Sequence, residues 1–258
     1  MANVEQKNGE GAMEYQERLK KTADLMIQAS RAFALTGAGI STESGIPDYR
    51  SPGKGLWEKV NPLKTASASA LRHNPKKFYQ DTISHWRTFA DAQPNRGHRA
   101  LKEMEDGGLL LGIVTQNIDG LHYAAGSKSV LEVHGHMRTG HCLECGDRVD
   151  FSKVTEQLDN GINPPRCHCS GILRPDVVLF EDPMSHDFFR ATKVLSGCDL
   201  LLVAGTSLQV YPVASLPQLA RQLIIVNNTP TSYDESAAVI FRESIGGVLS
   251  DLQSMLCQ

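Results

Sequence analysis

The sequence has no basic excess: 26 Lys and Arg stand against 29 Asp and Glu, a formal net charge of -3. Without that excess, and without a long block of like charge, it lacks the electrostatic footprint of a nucleic-acid-binding surface. No apolar run approaches the length needed to span a bilayer. The opening stretch Met1-Ala2-Asn3-Val4-Glu5-Gln6-Lys7-Asn8-Gly9-Glu10-Gly11 is too polar for the apolar region of a secretion signal. The expectation is a chain with no nucleic-acid partner and no membrane association, located in the cytoplasm. Internal repeats and low-complexity tracts are also missing. A disulfide framework is absent too. Of six cysteines, Cys142, Cys145, Cys167 and Cys169 lie close together, while Cys198 and Cys257 stand apart. In a chain without an export signal, such clustering points to a metal rather than to disulfides.

What is present is enough to bury a full core: 258 residues, 41% hydrophobic and 21% charged, fit one large domain with a small one attached. Residues 1–12 have little to bury against the entropy of ordering them and are expected to form a disordered tail. Tyr15, Leu19, Ala23, Met26 and Ile27 recur at helical spacing, which predicts an amphipathic helix over Glu14 to Ser30. Uninterrupted apolar runs follow at Ala32–Leu35, Leu109–Val114, Leu200–Ala204 and Leu223–Val226. Runs of this kind read as strands covered on both faces, and hence as a parallel sheet. Each is followed by small or polar residues: Gly37-Ala38-Gly39, Thr115 to Asp119, Gly205-Thr206-Ser207 and Asn227-Asn228-Thr229. Ligands of open α/β sheets bind beyond the carboxyl ends of the strands, so these segments are placed to line one crevice. Tyr49 to Asn95 and Met137 to Pro175 break the pattern and read as insertions that build a smaller module.

Gly37-Ala38-Gly39 after a strand has the form of a backbone turn that lets a pyrophosphate approach a helix N-terminus. By itself it fits a plain tight turn equally well. The third glycine of the usual dinucleotide pattern would fall at Thr42, and no acidic residue ends a second strand at the expected distance, which disfavours an ordinary dehydrogenase. Cys142-x-x-Cys145 and Cys167-x-Cys169 offer four thiolates, a set suited to tetrahedral structural zinc in a loop-rich module. The alternative is a degenerate site in which buried thiols simply pack, and His141 and His168 lie beside the cysteines as substitute ligands. His134 closes the short apolar segment Val130 to Val133 and precedes Gly135, an arrangement that aims an imidazole into a crevice.

The full stretch Thr36-Gly37-Ala38-Gly39-Ile40-Ser41-Thr42-Glu43-Ser44-Gly45-Ile46-Pro47-Asp48-Tyr49-Arg50-Ser51 resembles the first signature of the sirtuin family nearly residue for residue. Further signatures follow in the family's order: Thr115-Gln116-Asn117-Ile118-Asp119-Gly120-Leu121-His122, Glu132-Val133-His134-Gly135, Arg174-Pro175-Asp176-Val177-Val178-Leu179-Phe180, Gly205-Thr206-Ser207-Leu208 and Val210-Tyr211-Pro212-Val213. The resemblance runs from about Glu14 to near the end of the chain. It implies an α/β fold: a Rossmann-like parallel sheet with helices on both faces, over residues 13–49, 86–136 and 175–258. It also implies a small helical and zinc-ribbon domain over 50–85 and 137–174. NAD would lie in the cleft as co-substrate, with zinc held structurally by Cys142, Cys145, Cys167 and Cys169.

The activity implied is NAD-dependent protein-lysine deacetylation yielding nicotinamide, O-acetyl-ADP-ribose and free lysine, with acyl-lysine proteins or peptides as partners. Mono-ADP-ribosyl transfer is the alternative on the same scaffold. In this family His134 would accept a proton from a ribose hydroxyl, while Asn117 and Asp119 hold the nicotinamide end of NAD. Cofactor contacts would come from Gly37, Ala38, Gly39, Thr42, Asp48, Tyr49, Arg50, Gln116, Ile118, Gly205, Thr206, Ser207, Asn227 and Ile245. Substrate contacts would come from Val178, Phe180, Glu181 and Val210, with the peptide added as a strand. Four departures stand out. Tyr49 replaces a common Phe. The second cysteine pair is one residue short. Phe180-Glu181-Asp182 replaces Phe-Gly-Glu, which puts an acidic group near the peptide. Finally, Thr82 and His85 fall where the desuccinylase branch carries a Tyr and an Arg, which predicts a preference for neutral acyl groups.

Overall fold

The structure, a computed structural model, describes residues 2–49, 55, 61–89 and 91–256, with side chains from residue 14 onward except at 62. Helix α1 runs Ala2–Gln28, so the backbone over 2–12 is helical where a tail is expected. Within it Leu19, Ala23 and Met26 are buried at helical spacing, whereas Ile27 is 65% exposed. Met26 alone completes the stripe, and Ile27, one residue on, turns toward solvent.

Strand β1, Ala32–Thr36, is buried at every position. That is the pattern of a strand covered on both faces. It lies at the centre of a six-stranded parallel sheet with β2 (Ile113–Thr115), β3 (Val130–Glu132), β7 (Cys198–Ala204), β8 (Ala220–Val226) and β9 (Val239–Phe241), in the order β3-β2-β1-β7-β8-β9. The order reverses between β1 and β7, where a doubly wound sheet opens a crevice. The apolar run at Leu109 joins β1 only from Leu111 onward, whose amide donates to the Ala32 carbonyl. The amides of Leu109 and Leu110 instead donate to the Met104 carbonyl, closing the C-terminus of helix α5 (Arg96–Asp106). Two core clusters, one on each face of the sheet, draw on alternate residues of the same strands: Ala34, Leu202 and Ile224 on one side, Leu35, Val203 and Ile225 on the other. The first also packs α1, α5 and α9 (Ile245–Leu256), and the second packs α8 (His186–Leu195).

The two insertions share a third core. Leu71 of α3 (Ala68–His73) and Phe78, Tyr79 and Trp86 of α4 (Pro75–Arg87) pack with Phe151 and Val154 of α7 (Phe151–Asp159). Leu173 and Val177 complete it from a three-stranded antiparallel sheet of β5 (Arg148–Asp150), β4 (Gly135–Cys142) and β6 (Leu173–Val177), in that order. The boundaries expected at 85/86, 136/137 and 174/175 therefore fall inside α4, β4 and β6. Sequence pattern marks where composition changes, but a strand that carries one module into the next has no break there.

Candidate functional site

Thr36, Thr115, Glu132, Ala204 and Val226 are the last residues of their strands. The segments that follow line one cavity of about 820 Å³, with the small module as its other wall. Among the residues expected from sequence, Gly37, Ala38, Gly39, Asp48, Tyr49, Gln116, Asn117, Ile118, Asp119, His134, Val178, Phe180, Glu181, Gly205, Thr206, Ser207, Val210 and Asn227 all lie on its wall. Thr42 and Ile245 are not on it. The Thr42 hydroxyl donates to the Gly39 carbonyl at 2.9 Å, and Ile245 is buried in the sheet core. Arg50 lies outside the described residues.

The crevice between β1 and β7 is held open by backbone alone. Gly205 has φ +67, and a Cβ there would sit 2.3 Å from the Ile40 amide nitrogen. A Cβ on Gly39 would sit 2.8 Å from Gly205 Cα. Only glycines allow the two strand ends to approach so closely, and the Gly39 amide then donates to the Gly205 carbonyl at 2.8 Å. This is a cradle shaped for a group that must lie against main chain, as a pyrophosphate does. Gln116 crosses the same gap, its Nε2 donating to Thr206 Oγ1 at 2.9 Å. Asn227 is fixed at the far end by donation to the Thr229 carbonyl at 2.8 Å.

His134 Nδ1 lies 3.1 Å from the Gln116 carbonyl oxygen. A carbonyl only accepts, so Nδ1 carries the proton and Nε2 is left as the basic nitrogen. Desolvation holds the His134 pKa below the usual histidine value, against the opposing bond to Gln116. The ring is therefore neutral at physiological pH and able to accept a proton.

Asp119 is fixed by a chain whose polarity can be followed end to end. The Asn95 amide donates to His98 Nδ1 at 3.3 Å, as part of the capping box that starts α5. His98 Nε2 must then carry the ring proton of the neutral imidazole, and it faces Ser41 Oγ at 3.5 Å. Asn117 Nδ2 also donates to Ser41 Oγ, at 3.0 Å. The Ser41 hydroxyl in turn donates to Asp119 Oδ2 at 2.7 Å, and Oδ1 accepts from the Leu121 amide at 2.9 Å. Burial raises the Asp119 pKa, and these donors partly offset it. Ser41 and His98, both fully buried, are the residues that fix Asp119 and that motif reading did not single out. The signal available was the pair Asn95-x-x-His98 ahead of an amphipathic helix. A parallel chain lies behind it: His122 Nε2 approaches Thr36 Oγ1 at 2.9 Å, and Thr36 donates to Thr115 Oγ1 at 2.8 Å.

On the small-module side, Thr82, His85, Trp86 and Phe89 line the cavity. Thr82 uses its hydroxyl on the Phe78 carbonyl at 2.8 Å, so it offers the cavity no donor. His85 Nε2 lies 3.3 Å from the Tyr49 hydroxyl, and burial lowers the His85 pKa to about 4. The two departures at Tyr49 and His85 are thus one feature, a neutral polar pair.

The substrate edge differs from the sequence expectation. The Val178 amide donates to the His134 carbonyl, the Phe180 amide to Ala66 and the Leu179 amide to the Asp182 carboxylate. Asp182 also takes Arg174 at 2.6 Å in a nearly buried pair. Glu181 adopts φ +73, where the family's glycine would be unstrained. Its carboxylate accepts from the Ser69 amide at 2.9 Å and the Ser69 hydroxyl at 2.5 Å. The acidic group expected to meet the peptide is engaged with α3 instead.

The cysteines form two knuckles. Cys145 Sγ and Cys167 Sγ are 3.7 Å apart, and Cys142 Sγ and Cys169 Sγ 3.5 Å apart. Tetrahedral zinc with thiolate bonds of about 2.3 Å requires edges of about 3.7 Å, so the set fits zinc. The missing spacer is absorbed by Ser170 at φ +71 and by Gly171, where a Cβ would meet Cys142 Sγ at 2.5 Å. His141 is turned to Asp176, at 2.6 Å, away from the cluster.

A model of the Sir2 family matches residues 37–212. "NAD-dependent protein deacetylase 2" of Caldanaerobacter subterraneus subsp. tengcongensis is 46% identical over 245 residues, covering 95% of this chain and 98% of that protein. "NAD-dependent protein deacetylase 1" of Geobacillus kaustophilus is 43% identical, covering 90% and 96%. A solved Sir2–p53 peptide–NAD+ complex superposes with a TM-score of 0.85 at 31% identity, covering 92% of this chain and 98% of that one. Agreement of that extent in both sequence and fold makes this chain a member of the Sir2 family.

Proposed function

We propose that this chain is an NAD-dependent protein-lysine deacetylase, the activity named for its relatives. The observation that carries the reading is His134: a neutral imidazole with its basic nitrogen unprotonated, in one cavity with the fixed Asn117–Ser41–Asp119 group and the glycine cradle. NAD, when bound, supplies the ADP-ribosyl acceptor for the acyl group and releases nicotinamide. Gly37, Gly39 and Gly205 admit its phosphates to the main chain. Gln116 and Asn227 would orient its sugars, and Asn117 and Asp119 would hold the amide end. His134 Nε2 would be the base for a ribose hydroxyl proton. The acyl-lysine enters between the Val178 to Glu181 and Val210 segments. The zinc set lies apart from these groups and presents four protein ligands with no open position, which assigns the metal a structural role. Incubation with NAD and an acetyl-lysine peptide, with mass analysis of both products, tests the reading. O-acetyl-ADP-ribose with free lysine supports it, while a peptide gaining ADP-ribose would establish the transferase alternative.

The acyl group is neutral. Thr82 has no hydroxyl hydrogen to give, and His85 is uncharged at neutral pH. A succinyl carboxylate would therefore be desolvated without a fixed cation among the described residues of the cavity wall. The expected discrimination is roughly 100-fold in kcat/KM, about 2.7 kcal/mol, in favour of acetyl or butyryl over succinyl on one peptide at neutral pH. Equal or better turnover of the succinyl peptide would overturn this reading of the channel.

A further inference from the structure

The knuckles hold a second donor set beside the first. Cys145, Asp147, Cys167 and His168 place one ligand atom each within 4.8 Å of one another, and two of the four, Cys145 and Cys167, belong to the zinc set as well. The shared sulfur edge is 3.7 Å. Cys167 Sγ lies 3.3 Å from His168 Nδ1, and His168 Nδ1 lies 3.5 Å from Asp147 Oδ2. A tetrahedral ion with bonds of about 2.0 Å to nitrogen and oxygen and about 2.3 Å to sulfur needs edges between roughly 3.3 and 3.8 Å. The measured edges are close to that range. We propose that the Cys145–Cys167 edge, together with His168 and Asp147, is a second site for a zinc-class divalent cation, exchangeable with solution.

Chemistry and placement both argue for it. A thiolate keeps lone pairs after binding one ion, so a sulfur can bridge two. Four thiolates around one zinc leave a formal charge of about -2, and the Asp147 carboxylate adds to the attraction for a further cation. The mixed sulfur, nitrogen and oxygen donors suit a borderline-soft ion. Cys142, outside the second set, is buried, whereas the His168 and Asp147 side chains are 73% and 58% exposed. The first set thus has two buried ligands, Cys142 and Cys167, whereas the two donors that only the second set uses both face water. As a simple ion pair, His168 and Asp147 would contribute almost nothing to stability at such exposure. The second ion binds more weakly than the first, because both shared thiolates already neutralise a zinc.

The test starts from the full chain carrying its tightly held zinc. Zinc, and in a parallel arm cadmium, is titrated in by calorimetry, with elemental analysis before and after extensive dialysis. A second equivalent should bind at least about tenfold more weakly than the first and be lost on dialysis. Cadmium-113 resonance should show two environments. H168A and D147A should each weaken the second event about tenfold or more while keeping the first ion and the melting temperature. Saturation at a single ion would overturn the proposal, as would a second event unchanged in both variants. A single ion whose cobalt spectrum changes in H168A would also overturn it, by showing that the histidine replaces a cysteine in one site.

Discussion

At the scale of single residues, His134 and its neighbours divide what motif reading can find from what only packing reveals. That His134, Asn117 and Asp119 share one cavity wall was legible because each follows a strand end in a recognisable string of residues. Ser41 and His98 were not marked out. A serine inside a signature carries no sign of which hydroxyl proton goes where, and His98 reaches Ser41 only once α5 packs beside the β1 turn. Ile245 was placed with the cofactor by resemblance, but the register of α9 turns it into the core. His134→Ala should leave the fold and zinc content unchanged and reduce turnover by about 10²- to 10⁴-fold. In the unsubstituted enzyme, the acid limb of the pH–rate profile should lie below the ordinary histidine value of 6.5, because desolvation lowers the pKa. Steady-state rates with circular dichroism and metal analysis check the first expectation, and wild-type-like turnover in the variant would remove His134 from the mechanism.

Elements reveal the next layer. The strands were legible as apolar runs because full burial leaves no alternation to confuse them, and the segments after them were correctly grouped at one crevice. Strand β9 was missed, since Val239–Phe241 is too short to give a pattern. The domain boundary expected at 85/86 falls within α4, since that helix both lines the cavity and packs in the module core. The contact between α5 and α6 (Leu121–Ala124) packs His98 against His122, their ring centres 4.9 Å apart. Burial lowers the His98 pKa to about 4, and it also holds that of His122 well below the ordinary histidine value. Both are neutral when folded, whereas the unfolded chain takes up protons below the ordinary histidine value of 6.5. The stability they contribute is complete above that pH and is lost as pH falls from about 6.5 toward about 4. On the order of 1–2 kcal/mol from His98 alone should be gone near pH 5. Denaturant midpoints at intervals between about pH 7 and pH 5 should fall steadily. A flat profile would show that these rings are not held neutral.

For the molecule as a whole, the parallel sheet and the joining of two distant insertions into one smaller module were foreseen, while the side chains that build their common core were not. No local pattern joins Phe78 and Trp86 to Phe151, which lie far along the chain. That shared core makes the metal a support for the cavity wall as well as for its own loops, since buried Cys142 and Cys167 are part of it. Cys142→Ser should therefore lose zinc and lower the melting temperature by several degrees, at roughly 2–4 °C per kcal/mol for a chain of this size. Elemental analysis and a thermal melt decide the matter. An unmutated protein without zinc would refute it.

The strand order has a consequence for synthesis. Ala34 in β1 pairs with Ile113 on one side and Leu202 on the other, so the first strand to leave the ribosome waits for one of the last before its second edge is covered. Everything that builds the metal module, through Leu179, emerges before β7 begins at Cys198. A growing chain can thus capture its ion while β1 still presents an open edge, the state most prone to mispairing. The edge of β1 that faces β7 is thus left open through the whole synthesis of the metal module, and it is covered only in the finished sheet.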